Sequence, residues 1–286
     1  MKILIIGGTG LLGSMLKRFF DSKGIYCATI ARKNATFDLD LINQYSLSKI
    51  IKTVKPSHVI NSFAITNLRL CEENEHLAEK AHVDIVRSLS DLSNEIGFKF
   101  IHISTDQVYD NIYKHGSKET DPLCAKNIYV KTKIEGERYV SASGLILRTA
   151  FLGRRLNGSL SLSDYYFSVI QKNQSARIFN DVYSSALDTV SLCEVIFHLI
   201  QSDLSGIYNI GTHQPYLKSE LFDLLCAKLN VKPHNIEYAS CNLLPRRNKN
   251  CGLNCDKIIN TIQIKLPKLD QVCDSLIREW ENEKCM

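Results

Sequence analysis

A glycine-rich turn near the start of the chain constrains its fold more than any other feature. Residues 3–6 are apolar, and the run GGTGLLG at residues 7–13 follows at once, with glycine at its first, fourth and seventh positions. Apolar side chains then recur at helical spacing from residue 11 to residue 23. In such a turn Gly7 permits the sharp bend, Gly10 lets backbone amides approach phosphates, and Gly13 lets the helix pack against the strand. The turn therefore predicts a pyrophosphate site of the kind that binds a dinucleotide.

Strand-like and helical patterns alternate through the next part of the chain. The pattern continues with a strand at 25–30, a helix at 44–55, a strand at 58–61, a long helix at 72–96, a strand at 99–104, a helix at 126–141 and a strand at 145–148. Alternation of this kind is typical of a parallel sheet covered by helices on both faces. We predict an α/β fold with a doubly wound parallel sheet of the Rossmann type.

The alternation weakens after residue 150. An apolar run at 207–210 and helical patterns at 219–229 and 270–281 remain, and we assign them mainly to a smaller lobe. The sequence thus predicts a dinucleotide-binding domain at residues 1–150. A smaller α/β substrate-binding lobe at residues 151–286 follows, with some segments returning to the sheet.

Composition excludes several classes of protein. Lys and Arg number 35 against 30 Asp and Glu, and this net charge of +5 is too small to indicate a nucleic-acid partner. The ten cysteines in 286 residues are scattered, so we expect reduced thiols in the cytoplasm. The apolar run at the amino terminus is too short for a signal peptide, and no apolar stretch is long enough to span a membrane.

The residues after the second strand indicate which dinucleotide binds. An acidic side chain there would hold the ribose hydroxyls of NAD, whereas a basic one accommodates the 2′-phosphate of NADP. The chain carries Arg32 and Lys33 at this point, and acids appear only at Asp38 and Asp40. We predict NADPH as the cofactor, with NADH as the weaker alternative.

Two polar segments predict a carbonyl-reducing centre. Thr105 ends an apolar strand between Ser104 and Asp106, and Tyr129 lies four residues before Lys133 on a predicted helix. Side chains four apart share one helical face, so the lysine cation would lower the pKa of the phenol, which is ordinarily near 10. Tyr129 could then exchange a proton with a carbonyl oxygen that also accepts a hydrogen bond from Thr105.

These segments give the chain a resemblance to a known family. It is similar to the extended short-chain dehydrogenases/reductases and, among them, to the dTDP-4-dehydrorhamnose reductase-like family. The similarity rests on GGTGLLG at 7–13, VINSFA at 59–64, HISTDQVYD at 102–110, YVKTKIEGE at 129–137 and LRT at 147–149. It implies that NADPH reduces the 4-keto group of a nucleotide-linked 6-deoxy sugar, as in the synthesis of dTDP- or UDP-L-rhamnose.

The resemblance, together with the motifs, assigns site residues. Catalysis is expected from Thr105, Tyr129 and Lys133. The cofactor is expected at Gly7, Thr9, Gly10, Leu11, Leu12, Gly13, Arg32, Asp40, Leu41, Phe63, Ala64, Ile65, Tyr129 and Lys133. The nucleotide sugar is expected at Thr105, Asp106, Phe151, Asp181 and Arg247, with the last beside the diphosphate.

The chain departs from the family pattern at several positions. His82 replaces a usual Asn, Val130 a usual Gly, and Asn248 the Pro of an Arg-Pro segment. Met15 stands where some members carry a metal-ligating Glu, so we expect no metal site and no magnesium-dependent dimer, which leaves a metal-free homodimer open.

Two alternative functions stay open. A bifunctional 3,5-epimerase/4-reductase, acting on a UDP- or GDP-linked sugar, would need a further acid or base, often a Cys where this chain has Asp106. A regulatory subunit resembling the beta subunit of methionine adenosyltransferase would bind NADP without turnover.

Overall fold

A seven-stranded parallel sheet forms the centre of the computed structural model, which describes residues 1–41, 44–113, 115–154 and 160–282. Its strands lie in the order β11-β6-β5-β4-β1-β2-β3. Their bounds are β1 Lys2–Ile6, β2 Tyr26–Ala31, β3 Phe37–Asp38, β4 His58–Asn61, β5 Lys99–Ile103, β6 Leu145–Thr149 and β11 Gly206–Ile210. The order reverses between β1 and β4, so the carboxyl ends of these two strands open a crevice.

Both faces of the sheet are buried. On β1, Ile3 and Ile5 belong to one apolar cluster, whereas Leu4 and Ile6 belong to another. Side chains alternate between faces along a strand, so each face has its own core and helices cover both. The predicted doubly wound fold is confirmed.

Eleven α-helices are present in the described ranges. Their bounds are α1 Leu11–Ser22, α2 Gln44–Val54, α3 Leu68–Glu73, α4 Glu75–Glu79, α5 Ile85–Ile96, α6 Ile128–Glu137, α7 Leu162–Lys172, α8 Thr189–Ile200, α9 Lys218–Lys228, α10 Asp256–Ile262 and α11 Leu269–Asn282. A π-helical turn, Lys80–Asp84, joins α4 to α5, and a 3-10 turn, Asp106–Val108, follows β5. None of these helices is long and apolar enough to cross a membrane.

Short strand pairs build the lobe beyond the central sheet. β7 (Phe151–Leu152) pairs in parallel with β10 (Leu187–Asp188), and β8 (Ala176–Phe179) pairs in parallel with β13 (Ile236–Ala239). β9 (Tyr183–Ser184) and β12 (Tyr216–Leu217) pair antiparallel. Helix α9 packs against β8 and α11, so these late segments support one another beside the carboxyl edge of the main sheet.

Three elements differ from the sequence prediction. The helical region expected at 72–96 begins at Leu68 and is interrupted at Asn74, whose side chain accepts a hydrogen bond from the Leu77 amide and starts α4. The run expected at 207–210 pairs with β6 in the central sheet rather than within the lobe. Helix α6 ends at Glu137, four residues before the end expected at residue 141.

Candidate active site

The glycine turn between β1 and α1 leaves no room for a side chain at Gly7, Gly8 and Gly13. Gly7 has φ of +84°, and a Cβ there would lie 2.8 Å from the backbone nitrogen of Phe63. A Cβ on Gly13 would lie 2.2 Å from the carbonyl oxygen of Gly7. The Gly10 amide donates to that same oxygen over 3.0 Å. The glycine turn therefore lies close to the end of β4. In addition, the first turn of α1 carries no acidic side chain that would repel a phosphate.

A cleft of ≈ 310 Å³ opens above this turn at the carboxyl edge of the sheet. Its walls come from the glycine turn, the ends of β2, β4 and β5, and helix α6. The lining residues are Gly7, Thr9, Gly10, Leu11, Leu12, Ala31, Arg32, Leu41, Ser62, Phe63, Ala64, Thr66, Ile103, Ser104, Tyr129, Lys133 and Phe151. Of the expected cofactor residues, Gly13, Asp40 and Ile65 do not line it. Gly13 instead packs beneath the turn, and the Ile65 amide donates to His82 Nε2 over 3.0 Å.

The expected catalytic residues come together where β5 faces α6. Thr105 follows β5 and accepts a hydrogen bond from the Gln107 amide over 3.1 Å. Asn127 caps α6 through the Val130 amide, which places Tyr129 in the first turn of the helix. Tyr129 and Lys133 therefore both face the cleft from α6.

Desolvation dominates the charge states of Tyr129 and Lys133. Burial raises the pKa of Tyr129 to about 12, although a hydrogen bond with Thr105 opposes the rise. Burial lowers the pKa of Lys133 to about 8, against the attraction of Glu137. The Lys133 side chain donates to the Ile103 carbonyl oxygen over 2.8 Å and lies 3.3 Å from His102 Nε2. The expectation that Lys133 lowers the pKa of Tyr129 is therefore wrong for this structure, since the lysine is held against β5.

A buried ion pair connects β6 to α6 beneath the site. The Arg148 side chain on β6 donates to Glu137 on α6 over 2.6 Å and to the Tyr109 hydroxyl over 2.5 Å. Ser104, next to Thr105, donates its hydroxyl proton to the same Glu137 carboxylate. Arg148 and Glu137 are each less than 10% exposed. Sequence analysis missed this pair, and its only signal was an arginine within the apolar strand and a glutamate one helical turn after Lys133.

His82 joins the two walls of the site. Its Nε2 accepts from the Ile65 amide, and its Nδ1 lies 2.7 Å from the Thr132 hydroxyl on α6. Its ring meets that of Tyr129 edge to face, with centroids 5.4 Å apart. Burial, followed by the nearby Lys133 charge, lowers the pKa of His82 to about 3. A neutral ring that accepts at Nε2 must carry its proton on Nδ1, so His82 donates to Thr132.

A second cleft, of ≈ 390 Å³, meets the first at Thr66, Tyr129 and Phe151. Most of its walls come from the later half of the chain. The lining residues are Thr66, Leu68, Thr105, Gln107, Tyr129, Phe151, Leu162, Tyr165, Tyr166, Arg177, Phe179, Val182, Lys218, Cys241, Arg247 and Asn248. Lys218 and Asn248 had not been singled out as binding residues from the sequence. Lys218 stands in no recognisable local motif, and Asn248 was noted only as a departure from an Arg-Pro segment.

Three of the five residues expected to bind the nucleotide sugar line the second cleft. Thr105, Phe151 and Arg247 line the second cleft, with the Arg247 side chain exposed. Asp106 lies behind them, 5% exposed, and burial raises its pKa to about 6 against the attraction of Lys218. Asp181 does not line the cleft.

Asp181 instead fixes the edge of the lobe. Its carboxylate accepts from the Lys249 side chain over 2.6 Å and from the Cys241 amide over 2.8 Å. These bonds, led by the one from Lys249, hold the pKa of Asp181 below its usual range, although partial burial opposes them. Asp181 thereby ties β8 and the segment after it to the chain beside Arg247.

Comparison with known proteins connects this architecture to one family. The family model described as RmlD substrate binding domain matches residues 1–281. A dTDP-4-dehydrorhamnose reductase of Shigella flexneri is 23% identical over 285 residues, covering 93% of this chain and 94% of the relative. The spore coat polysaccharide biosynthesis protein SpsK of Bacillus subtilis is 28% identical over 216 residues, covering 73% of each chain.

Solved structures share the fold. The crystal structure of dTDP-4-dehydrorhamnose reductase from Bacillus anthracis in complex with NADP has a TM-score of 0.88 at 21% identity, covering 98% of this chain and 100% of that one. The Bordetella bronchiseptica enzyme WbmG in complex with NAD and UDP has a TM-score of 0.84 at 17% identity, covering 99% and 96%. At these identities the likeness concerns the fold alone.

Proposed function

Since the chain belongs to the RmlD substrate binding domain family, we propose that it reduces the 4-keto group of a nucleotide-linked 4-keto-6-deoxy sugar with NADPH. The observation that carries the proposal is the position of Tyr129, whose side chain lines both clefts at their junction. A phenol placed there can serve a carbonyl in the second cleft while a dinucleotide occupies the first. Relatives named dTDP-4-dehydrorhamnose reductase align over nearly the whole chain, which supports the same activity.

The first cleft fits a dinucleotide. Gly7 leaves the space that a Cβ would fill against Phe63, and the amino end of α1 offers free amides with no acidic side chain in its first turn. Arg32 lines the far end of the cleft and would meet the 2′-phosphate, which favours NADPH over NADH. When bound, NADPH supplies the hydride that reaches C4 of the sugar.

Residues of the chain would supply the proton that the reduced carbonyl oxygen needs. As C4 receives the hydride, its oxygen gains negative charge and takes the proton from the Tyr129 hydroxyl, and the resulting phenolate is reprotonated from solvent. Thr105, which bonds with Tyr129, would donate a hydrogen bond to the same oxygen. Lys133 lines the first cleft, where its charge would face the bound cofactor. Proton transfer from a positioned side chain such as Tyr129 contributes about 10²–10⁴ in rate.

Two cations would hold the diphosphate. Arg247 and Lys218 both line the second cleft, and Arg247 is exposed at its mouth. Guanidinium and ammonium groups are the usual partners of phosphate oxygens. This arrangement would place the sugar inward, towards Thr105 and Tyr129, with Phe151 against its ring.

NADPH oxidation by the purified protein tests the proposal. The substrates are 4-keto-6-deoxy sugars linked to dTDP, UDP and GDP, each before and after 3,5-epimerisation, with NADH as the matched cofactor control. We expect turnover on an epimerised sugar, faster with NADPH than with NADH. Tight NADPH binding without turnover on any of these sugars would contradict the proposal and favour a regulatory subunit. Deuterium from solvent at C3 or C5 of the product would indicate an epimerase as well.

A further inference from the structure

An unpaired acceptor lies in the wall of the second cleft. Asn248 is 1% exposed, and its Oδ1 accepts no hydrogen bond from any residue that the structure describes. Buried polar atoms are nearly always paired, and an unpaired one costs free energy unless something else satisfies it. Asn248 lines the cleft, so the missing donor can come from what binds there.

We propose that Asn248 determines substrate specificity by accepting, at Oδ1, a hydrogen bond from a hydroxyl group of the bound sugar. This inference rests on the proposed function and deepens it, because it names a group on the sugar that the site recognises. Asn248 stands where the resembling family has proline, which offers no side-chain acceptor. The recognition is therefore a property of this chain.

The orientation of the Asn248 amide is fixed by its neighbours. Its nitrogen donates to the carbonyl oxygens of Gln107 and Cys124, over 2.6 Å in each case. A carbonyl oxygen can only accept, so the nitrogen must face both carbonyls and the oxygen must face away from them. These two bonds hold Oδ1 in place before a ligand arrives, which lowers the entropic cost of binding.

The position of Asn248 indicates which part of the ligand it meets. Arg247 precedes it and would bind the diphosphate, which is attached to C1 of the sugar. Gln107, which its amide nitrogen contacts, lies two residues after Thr105, which would contact the oxygen at C4. Between C1 and C4 the sugar carries hydroxyls at C2 and C3, and a hydroxyl is the donor that an amide oxygen needs.

Binding of a product-type ligand tests the proposal without requiring turnover. Calorimetry on the protein saturated with NADP⁺ would compare dTDP-, UDP- or GDP-6-deoxyhexose, whichever binds tightest, with its 2-deoxy and 3-deoxy analogues. For one of the two analogues, we expect the Kd of the wild type to be at least about tenfold higher than the Kd for the hydroxylated parent. A site built for a hydroxyl rejects the ligand that lacks it. In N248A that ratio should fall to within about threefold, and N248S, which keeps a hydroxyl oxygen, should recover part of it.

A matched variant distinguishes recognition of the sugar hydroxyl from the structural role of an asparagine that bridges two segments. Asn111 also bridges two segments through its amide nitrogen, to Ser117 Oγ and to the Pro122 carbonyl oxygen, each over 3.1 Å, but it does not line the cleft. N111A should leave the discrimination between hydroxylated and deoxy ligands unchanged. Equal weakening of both ligands in N248A, or no discrimination by the wild type, would overturn the proposal. If the wild type still discriminates between hydroxylated and deoxy ligands but oxidises no NADPH, the proposed reductase activity is contradicted and the role of Asn248 is not.

Discussion

The two clefts that meet at Tyr129 are assembled differently. The first is built from the ends of parallel strands and from short continuous motifs, above all the turn at residues 7–13. The second draws its walls from separate segments between residues 66 and 248, including β8, the start of α9 and the loop after β13. A strand-end site is fixed by the sheet itself, whereas the second cleft depends on how the lobe packs. Cofactor binding and sugar binding should accordingly respond to different substitutions.

Replacement of Tyr129 by Phe should have the largest effect and should leave both clefts able to bind. The variant keeps the ring, which packs edge to face on His82, and loses only the hydroxyl. We expect turnover to fall about 10²–10⁴-fold, because the proton donor is gone, with the Kd for NADPH within about twofold. Steady-state NADPH oxidation and fluorescence titration with NADPH measure the two quantities. Undiminished turnover would show that Tyr129 is not the acid.

The difference between the clefts also explains what the sequence could predict. The glycine turn and the alternating periodicity identify the sheet and the order of its early elements, and the family resemblance adds most of the other residues around the first cleft. The positions of Lys218 and Asn248 in the second cleft could not be predicted, because both residues reach it only after β9, β12 and the loop after β13 have packed together. The charge states could not be predicted either: spacing placed Lys133 beside Tyr129, but the Ile103 carbonyl that holds the lysine becomes visible only in three dimensions.

Replacement of His82 by Asn tests the buried histidine that connects Ile65 to α6 beside the first cleft. A buried histidine whose pKa is lowered to about 3 stays neutral in the folded state, while the unfolded chain binds a proton near pH 6.5. Its contribution to stability is therefore complete above pH 6.5 and is lost as the pH falls towards 3. Between pH 7 and pH 4 the wild type should lose about 3 kcal/mol more free energy of unfolding than H82N does.

Urea unfolding at a series of pH values measures this difference. His76 on α4 is exposed and provides the matched control, so H76N should follow the wild type across the same range. If H82N and the wild type lose stability in parallel on acidification, His82 is not held neutral by burial.

Replacement of Gly13 by Ala should damage the first cleft and spare the second. The new methyl group would lie 2.2 Å from the Gly7 carbonyl oxygen, so the glycine turn must shift. We expect the free energy of unfolding to fall by about 1–3 kcal/mol and the affinity for NADPH to fall at least tenfold. Calorimetric titrations with NADPH and, separately, with a nucleotide 6-deoxy sugar compare the clefts.

Gly24 supplies the control for this comparison. It has φ of +68° at the end of α1, with no atom within 4 Å of a Cβ placed on it. G24A should therefore lower stability through backbone strain, by about 1 kcal/mol, and leave the affinity for NADPH unchanged. An equal loss of NADPH affinity in both variants would mean that general destabilisation, rather than the shape of the turn, weakens the cofactor site.

Replacement of Arg32 by Ala should have the smallest effect, because it changes one end of one cleft. Arg32 is exposed after β2, where its charge would meet the 2′-phosphate of NADPH but nothing comparable on NADH. We expect the Kd for NADPH to rise about fivefold and that for NADH to stay within about twofold, since an exposed ion pair contributes about 1 kcal/mol. Lys52, exposed on α2 and paired with Glu95, provides a control of equal charge, and K52A should alter neither constant. A parallel loss of affinity for both cofactors in R32A would place the arginine on the shared part of the dinucleotide, and the selectivity would then have to come from another basic side chain such as Lys33.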